Sequence, residues 1–172
     1  SMNGDANNPV VADGSKVSLW DTDHLCGICG DAAWPWRSLT RGHNPLFMDG
    51  YDGSAGVGDP KYDPSDPKWE AIRTNMGYAR SYALRMDLAR SRPRGDLASS
   101  GYCLAVVGSE YLVFLPNGGS VNVNLTGVSG SRTVEWFNPA NGQTTAGSAV
   151  NGGSTVTINA PFSGMAVAYI HP

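Results

Sequence analysis

From Tyr102 to Ile170 the chain is written as six short runs, YCLAVV, EYLVFL, SVNVNL, RTVEWFN, STVTIN and MAVAYI. Each is rich in β-branched and aromatic residues, and several alternate in polarity, the pattern of short strands. Between them stand Gly108-Ser109, Asn117-Gly118, Asn141-Gly142 and Asn151-Gly152-Gly153, residues that tolerate the backbone of tight hairpin turns. Six or seven strands at this spacing with no intervening helix imply an antiparallel β-sandwich over residues 95–172.

Charge divides this segment from what precedes it. Up to Arg94 the chain holds 11 of its 12 Lys and Arg residues and 12 of its 15 Asp and Glu residues; beyond it only Asp96, Glu110, Arg132 and Glu135 are charged. Such a shift marks a domain boundary. It falls at SRPRGD, where Pro93 and Gly95 stop a helix arriving from the left.

The first half mixes elements. KVSLW (Lys16 to Trp20) reads as a buried strand, WPWRSLTR (Trp34 to Arg41) as a short helix ended by Gly42, and PLFMD (Pro45 to Asp49) as a second strand. A glycine- and proline-rich loop then leads into a longer helix. Asp66 suits its N-cap, Pro67 its first position and Glu70 its early turns. Trp69, Ile72, Met76, Ala79, Ala83 and Met86 recur at steps of three and four, predicting one apolar face through about Arg90. The order is βαβα, so the fold class is α+β: an incomplete βαβα piece over residues 16–94, followed by the sandwich. Residues 1–15 are expected to be disordered or tag-derived, and their Ser-Met start looks like a cloning scar without the layout of a signal peptide.

A βαβ unit normally belongs to a parallel sheet covered on both faces, so these two strands require neighbours. Leaving on the order of 600 Å² of apolar surface bare forfeits about 15 kcal/mol at ~25 cal/mol per Å². That equals the whole stability of a typical domain, about 5 to 15 kcal/mol. Either further chain or another copy of this one is expected to cover them, which makes the protein a homo-oligomer or the remainder of a larger sheet.

Composition excludes less. A formal charge of −3 gives no global reason to expect nucleic acid. No run of about 20 apolar residues is present to span a membrane. Three cysteines, Cys26, Cys29 and Cys103, are odd in number and unevenly spaced, which does not describe a disulfide framework. Cys26 and Cys29 with His24 and His43 make a cramped zinc set. A thioredoxin-like pair would follow a strand and open a helix, whereas CGICG lies among glycines. Neither a metal nor a cofactor is expected. Asn124-Leu125-Thr126 is a glycosylation sequon of a kind that arises often by chance.

DTDHL after a strand, WPWRSLTRGHNPLFMD, WEAIRTNMGYARSYALRMDL, LASSGYCLAVVGSEYLVFLP and VEWFNPANGQ occur in this order. Together they resemble the C-terminal end of a bacterial family of glycoside-hydrolase-like proteins. Its catalytic part is a (β/α)8 barrel related to apiosidase-like enzymes, and its final sandwich resembles the module named for collagen binding in a collagenase. The resemblance implies that KVSLW is the seventh barrel strand, PLFMD the eighth and the Trp69 helix the last barrel helix, with strands one to six absent. It also favours a secreted or periplasmic location and a carbohydrate partner.

In barrel enzymes catalytic groups sit at the C-terminal ends of strands. Related barrels place the nucleophile at the end of strand seven and the acid/base on strand four. Here strand seven offers Asp21 or Asp23, where many such barrels carry a glutamate; the partner carboxyl lies outside the chain. Retaining glycosidases set the two carboxyl groups about 5 Å apart and inverting ones further. His24, Arg41, His43, Asn44, Asp49 and Tyr51 would ring the same mouth, with Trp20, Trp34 and Trp36 as stacking faces for sugar. The plainer alternatives are that the aspartates cap the following helix, Arg41 pairs with a carboxylate and the tryptophans belong to the core. Such a chain is expected to be inactive alone, or else to act as a non-catalytic binding or structural module for polysaccharide or matrix that assembles through its βαβα segment.

Overall fold

A computed structural model describes residues 7–22, 25, 29–48 and 66–172. Its first strand, β1 (Leu19–Asp21), runs parallel to β2 (Asn44–Leu46), with Trp20 beside Pro45. Helix α1 (Trp34–Thr40) lies between them in sequence, giving the expected βαβ order. Pro35 sits in its first turn, where a missing N–H costs nothing. The helix stops at Gly42, whose φ of +85° suits glycine and whose missing side chain leaves room for Pro93 and Ala12.

Helix α2 (Pro67–Ala83) begins as expected, the Asp66 carboxylate accepting from Lys68 N at 3.0 Å. It ends earlier than the apolar spacing suggests, because the turn after it is captured from outside. The Glu110 carboxylate accepts from Asp87 N at 2.8 Å, and Ser91 Oγ donates to Asp87 O. Met86 remains buried although the helix has ended.

The remaining strands are β3 (Arg92–Pro93), β4 (Cys103–Val106), β5 (Glu110–Leu115), β6 (Gly118–Asn124), β7 (Ser131–Asn138), β8 (Gln143–Ala146), β9 (Val150–Asn151), β10 (Thr155–Ser163) and β11 (Ala166–His171). One large sheet has the order β3-β4-β5-β11-β7-β8, with β9 pairing the start of β7. The second sheet is the antiparallel pair β6 and β10. Strand β3 joins the large sheet by pairing with Leu104 and Ala105, so sheet pairing begins just before Arg94.

Alternation along the central strands sends residues to two different cores. Cys103, Ala105, Tyr111, Val113, Trp136, Ala168 and Ile170 face Val121, Val123, Leu125 and Ile158 of the small sheet side. Leu104, Leu112, Phe114, Phe137, Val167 and Tyr169 point the other way, onto Trp36 and Leu39 of α1 and Ala79, Tyr82 and Met86 of the α2 region. The sandwich therefore bears a third layer of helices. This explains why β5 and β11 are buried on successive residues, whereas SVNVNL, covered on one face, alternates.

Part of the N-terminal stretch expected to be disordered is anchored instead. Ala12 N donates to Arg41 O at 2.9 Å, and the Arg41 guanidinium bonds Asn8 Oδ1 and the Pro9 carbonyl. Among the described residues no helix is long and apolar enough to cross a membrane.

Candidate functional site

The two parallel strands have two ends, and the candidate residues divide between them. At the C-terminal end Asp21 closes β1, followed by Thr22, which is wholly buried. Thr22 N donates to Leu46 O at 3.1 Å and Thr22 Oγ1 accepts from Met48 N at 2.9 Å, so the chain leaves both strands in a fixed geometry. Asp23, His24, Asp49 and Tyr51 lie outside the described residues.

Arg41, His43 and the Asn44 side chain sit at the opposite end. His43 precedes β2 and stacks on Trp20 with ring centroids 4.7 Å apart. Its Nδ1 lies 2.7 Å from Ser18 Oγ and its Nε2 2.5 Å from Val10 O. A carbonyl only accepts, so Nε2 carries the proton and Nδ1 accepts from the serine hydroxyl. Burial pushes the His43 pKa below 6.5 and outweighs the hydrogen bond to Val10, and the nearby Arg41 charge acts in the same direction as burial. The imidazole is a neutral structural clamp. Asn44 Nδ2 donates to Ser18 O at 3.1 Å, and Arg41 lies over the Tyr102 ring at 4.5 Å. Arg41 thus ties the N-terminal segment to the sandwich side, and the expectation that it and His43 share a mouth with Asp21 is not met.

Trp34 and Trp36 have no exposed surface. Trp36 donates its indole N–H to Asn75 Oδ1 at 2.8 Å and packs against Phe137 and Tyr82, so it joins helices to sheet. The Trp34 indole nitrogen is buried without a partner among the described residues. Neither ring presents a face on which a sugar can stack, and Trp20 is also buried.

A cleft of about 520 Å³ opens at the Ser18 end, bordered by Lys16, Ser18, His43, Asn44 and Arg92 over Leu104. A second, apolar hollow of about 310 Å³ lies between the α1–β2 corner and α2, lined by Leu39, Pro45, Met76, Ala79 and Ala83.

Three features lie outside the site residues read from the sequence, and the first of them locates the bare apolar surface expected on the parallel pair. The first is an exposed apolar stripe: Val17 is 84% and Leu19 67% accessible, with Leu46 and Met48 beside them. Along β1, Leu19 and Asp21 point to one side while Trp20 points inward, so the stripe leads to Asp21. Its signal is present in KVSLW, where alternation puts Val17 and Leu19 on the side away from Trp20. The second is a polar seam between helix and sheet. Glu135 accepts from Tyr82 Oη at 2.6 Å and pairs with Arg85 at 2.6 and 3.2 Å, while Glu110 accepts from Tyr169 Oη at 2.6 Å. Arg85 holds the Glu135 carboxyl below its ordinary value, and burial pushes both tyrosines up. These carboxylates, engaged in joining layers, are not an acid/base pair. The third is chemical: Cys29 is disulfide-bonded, contrary to the expectation from an odd cysteine count. Cys103 is a free, wholly buried thiol pushed up to about 12. Among the described residues no group of three or more His, Cys, Asp or Glu side chains could hold a metal.

Residues 95–167 match the family described as "Putative collagen-binding domain of a collagenase". The chain is similar in fold to a glycoside hydrolase family 5 structure from Bacteroides vulgatus, with a TM-score of 0.61 and 14% identity over 81% of this chain and 35% of that one. A second structure, described as a glycoside hydrolase, gives a TM-score of 0.59 and 12% identity over 95% of this chain and 39% of that one. The chain thus spans little more than a third of either structure, and at such identities the likeness is one of fold. No curated protein matches the sequence.

Proposed function

We propose that this chain is the C-terminal segment of a glycoside-hydrolase-like protein. In this reading β1, α1, β2 and α2 are the last two units of a (β/α)8 barrel, and the sandwich is an accessory module fused to their helices. The observation that carries it is the bare side of the parallel pair, where Leu19, Leu46 and Met48 are exposed opposite the buried Trp20. Parallel strands are covered on both faces in complete folds, and the uncovered side corresponds to a barrel interior. The fold likeness to two glycoside hydrolases supports the reading. A disulfide at Cys29 is in keeping with a secreted or periplasmic site, where disulfides persist.

Asp21, or Asp23 outside the described residues, then supplies the carboxylate at the end of strand seven. Glycosidic cleavage needs a second carboxyl as acid/base across the bond. That group belongs to a strand this chain does not contain, so the chain contributes one wall of a sugar-binding pocket and turns over nothing alone. Aryl glycosides test this: the chain shows no turnover by itself, and mixing it with a separately produced segment carrying the other six barrel units restores turnover. Hydrolysis by the chain alone would overturn the assignment.

A second reading is favoured by the match of residues 95–167: the sandwich binds matrix or polysaccharide, and the βαβα piece serves assembly. Retention on insoluble collagen or polysaccharide supports it, and passage through every such matrix counts against it. Light scattering tests the assembly part, for which a clean monomer at low concentration is the contrary result.

A further inference from the structure

The clamp around His43 also has the bonding pattern of a reactive pair. Ser18 directly precedes β1, is half-buried and borders the cleft of about 520 Å³. Its hydroxyl donates to His43 Nδ1 across 2.7 Å, so the oxygen keeps lone pairs for whatever enters the cleft. His43 Nε2 is anchored in turn by the Val10 carbonyl. A hydroxyl bonded to an imidazole whose far nitrogen is fixed by a third group is the arrangement of an activated nucleophile and its base.

The surroundings keep that base in its proton-accepting form. The ring is 1% exposed and stacked on Trp20. Burial and the neighbouring Arg41 hold its pKa below the ordinary 6.5, so the imidazole is neutral at neutral pH. The other formal charges facing the cleft are Lys16 and Arg92, and no carboxylate borders it. Arg92 is set in place by the carbonyl oxygens of Ala89 and Ser91, at 3.1 and 2.7 Å from one guanidinium nitrogen. Asn44 Nδ2 uses one hydrogen on Ser18 O and has a second to offer beside it, where a carbonyl attacked by Ser18 would develop negative charge. Leu39, Leu88, Pro93 and Leu104 supply apolar lining.

We propose that Ser18 and His43 are the nucleophile and base of an acyl-transfer site that cleaves small esters bearing a negative charge. Ser18 Oγ bonds to the ester carbonyl carbon as its proton passes to His43 Nδ1. The bond from that carbon to the alcohol oxygen then breaks, and the alcohol leaves with the proton from His43. Water attacks the acyl-serine, giving a proton to His43. The bond between Ser18 Oγ and the acyl carbon breaks, the proton returns to Ser18, and the free acid departs. Lys16 and Arg92 hold the negative group, and the apolar lining takes the carbon chain. The site lies at the strand end opposite Asp21 and has no part in glycosidic cleavage.

The test uses the full chain with a fluorophosphonate, which bonds covalently to an activated serine oxygen, and with two substrates, para-nitrophenyl acetate and the para-nitrophenyl half-ester of succinate. Peptide mass spectrometry is expected to place one label, on Ser18. The labelling rate should fall as pH drops through the folded His43 pKa, a dependence that a merely structural serine lacks. Ser18→Ala loses the label and lowers ester turnover about a hundredfold. His43→Gln does the same, but its buried position makes unfolding a rival explanation. Lys16→Ala with Arg92→Ala, at two exposed positions, avoids that ambiguity. It keeps the label and removes a preference of about tenfold for the succinate ester over the acetate. No label, a label elsewhere, turnover undiminished in Ser18→Ala, or a labelling rate indifferent to pH overturns the site. Equal turnover of the two esters by the wild type overturns the negatively charged substrate class. All of these outcomes leave the barrel reading standing.

Discussion

The two parallel strands and the large antiparallel sheet contain similar residues in opposite circumstances. Strands β5 and β11 are buried on both faces, by the small sheet on one side and by α1 and α2 on the other. Among the described residues, strands β1 and β2 are covered on one face only, and Leu19, Leu46 and Met48 are exposed. The difference teaches where the fold is complete. The helices that follow the two strands are held by the sandwich; in the proposed barrel reading the outer wall stands while the inner surface is unfinished.

The strongest way to break this contrast is to remove the joint between helices and sheet. Phe114→Ala or Trp36→Ala is expected to lower unfolding free energy by about 3–5 kcal/mol, the usual cost of deleting a buried aromatic. Urea denaturation measures it, and a loss confined to helix signal with the sheet intact would show the layers to be independent.

A smaller effect is expected at the polar seam. Glu135→Gln weakens the contacts to Arg85 and Tyr82 in a partly exposed setting, costing about 1–2 kcal/mol. Because Arg85 depresses the Glu135 pKa, this contribution is present above the ordinary value near 4.5 and is lost as pH falls through the depressed value. Stability measured from neutral to acid pH therefore declines less steeply in Glu135→Gln than in the wild type.

His43 sharpens the comparison at the other region. Its folded pKa lies below the unfolded value of 6.5, so the unfolded chain binds more protons in the interval between them. Stability contributed by the neutral clamp is complete above 6.5 and declines as pH drops through the folded value. Thermal midpoints across that range are expected to slope for the wild type and to flatten for His43→Gln. Smallest of all is Leu19→Ser: on an open surface it shifts the chain's own stability by no more than about 0.5 kcal/mol, yet in the proposed barrel reading it abolishes productive mixing with a segment carrying the other six units. A large destabilisation on urea titration would mean that Leu19 is already covered within this chain.

Much of the architecture was legible because local rules and burial agreed. EYLVFL coincides with β5, Asp66 caps α2, and Gly42 ends α1 as read. The resemblance implies the Trp69 helix packed against the start of the sandwich, but not that α1 shares in covering the sheet, although strands buried on successive residues must have cover on both faces. The candidate site was less legible. His43 and Asp21 were placed together because both flank strands, but His43 precedes β2 and Asp21 ends β1, and parallel strands put those positions at opposite ends. Trp34 and Trp36 illustrate another limit, since residue type alone does not tell whether an indole faces a ligand or a core. The end of α2 is set by Glu110, a residue distant in sequence, which no local signal at Arg90 reveals.

The central claim is that the large sheet is finished within this chain and the parallel pair is not. Backbone amide hydrogen exchange of the chain, first alone and then mixed with a segment carrying the six further barrel units that the proposed reading requires, measures it directly. Alone, the β1 and β2 amides should exchange at least about a hundredfold faster than those of β5 and β11, a gap of about 2.7 kcal/mol in opening free energy. Mixing should close most of that gap. Equal protection of all four strands in the monomeric chain alone would contradict the account.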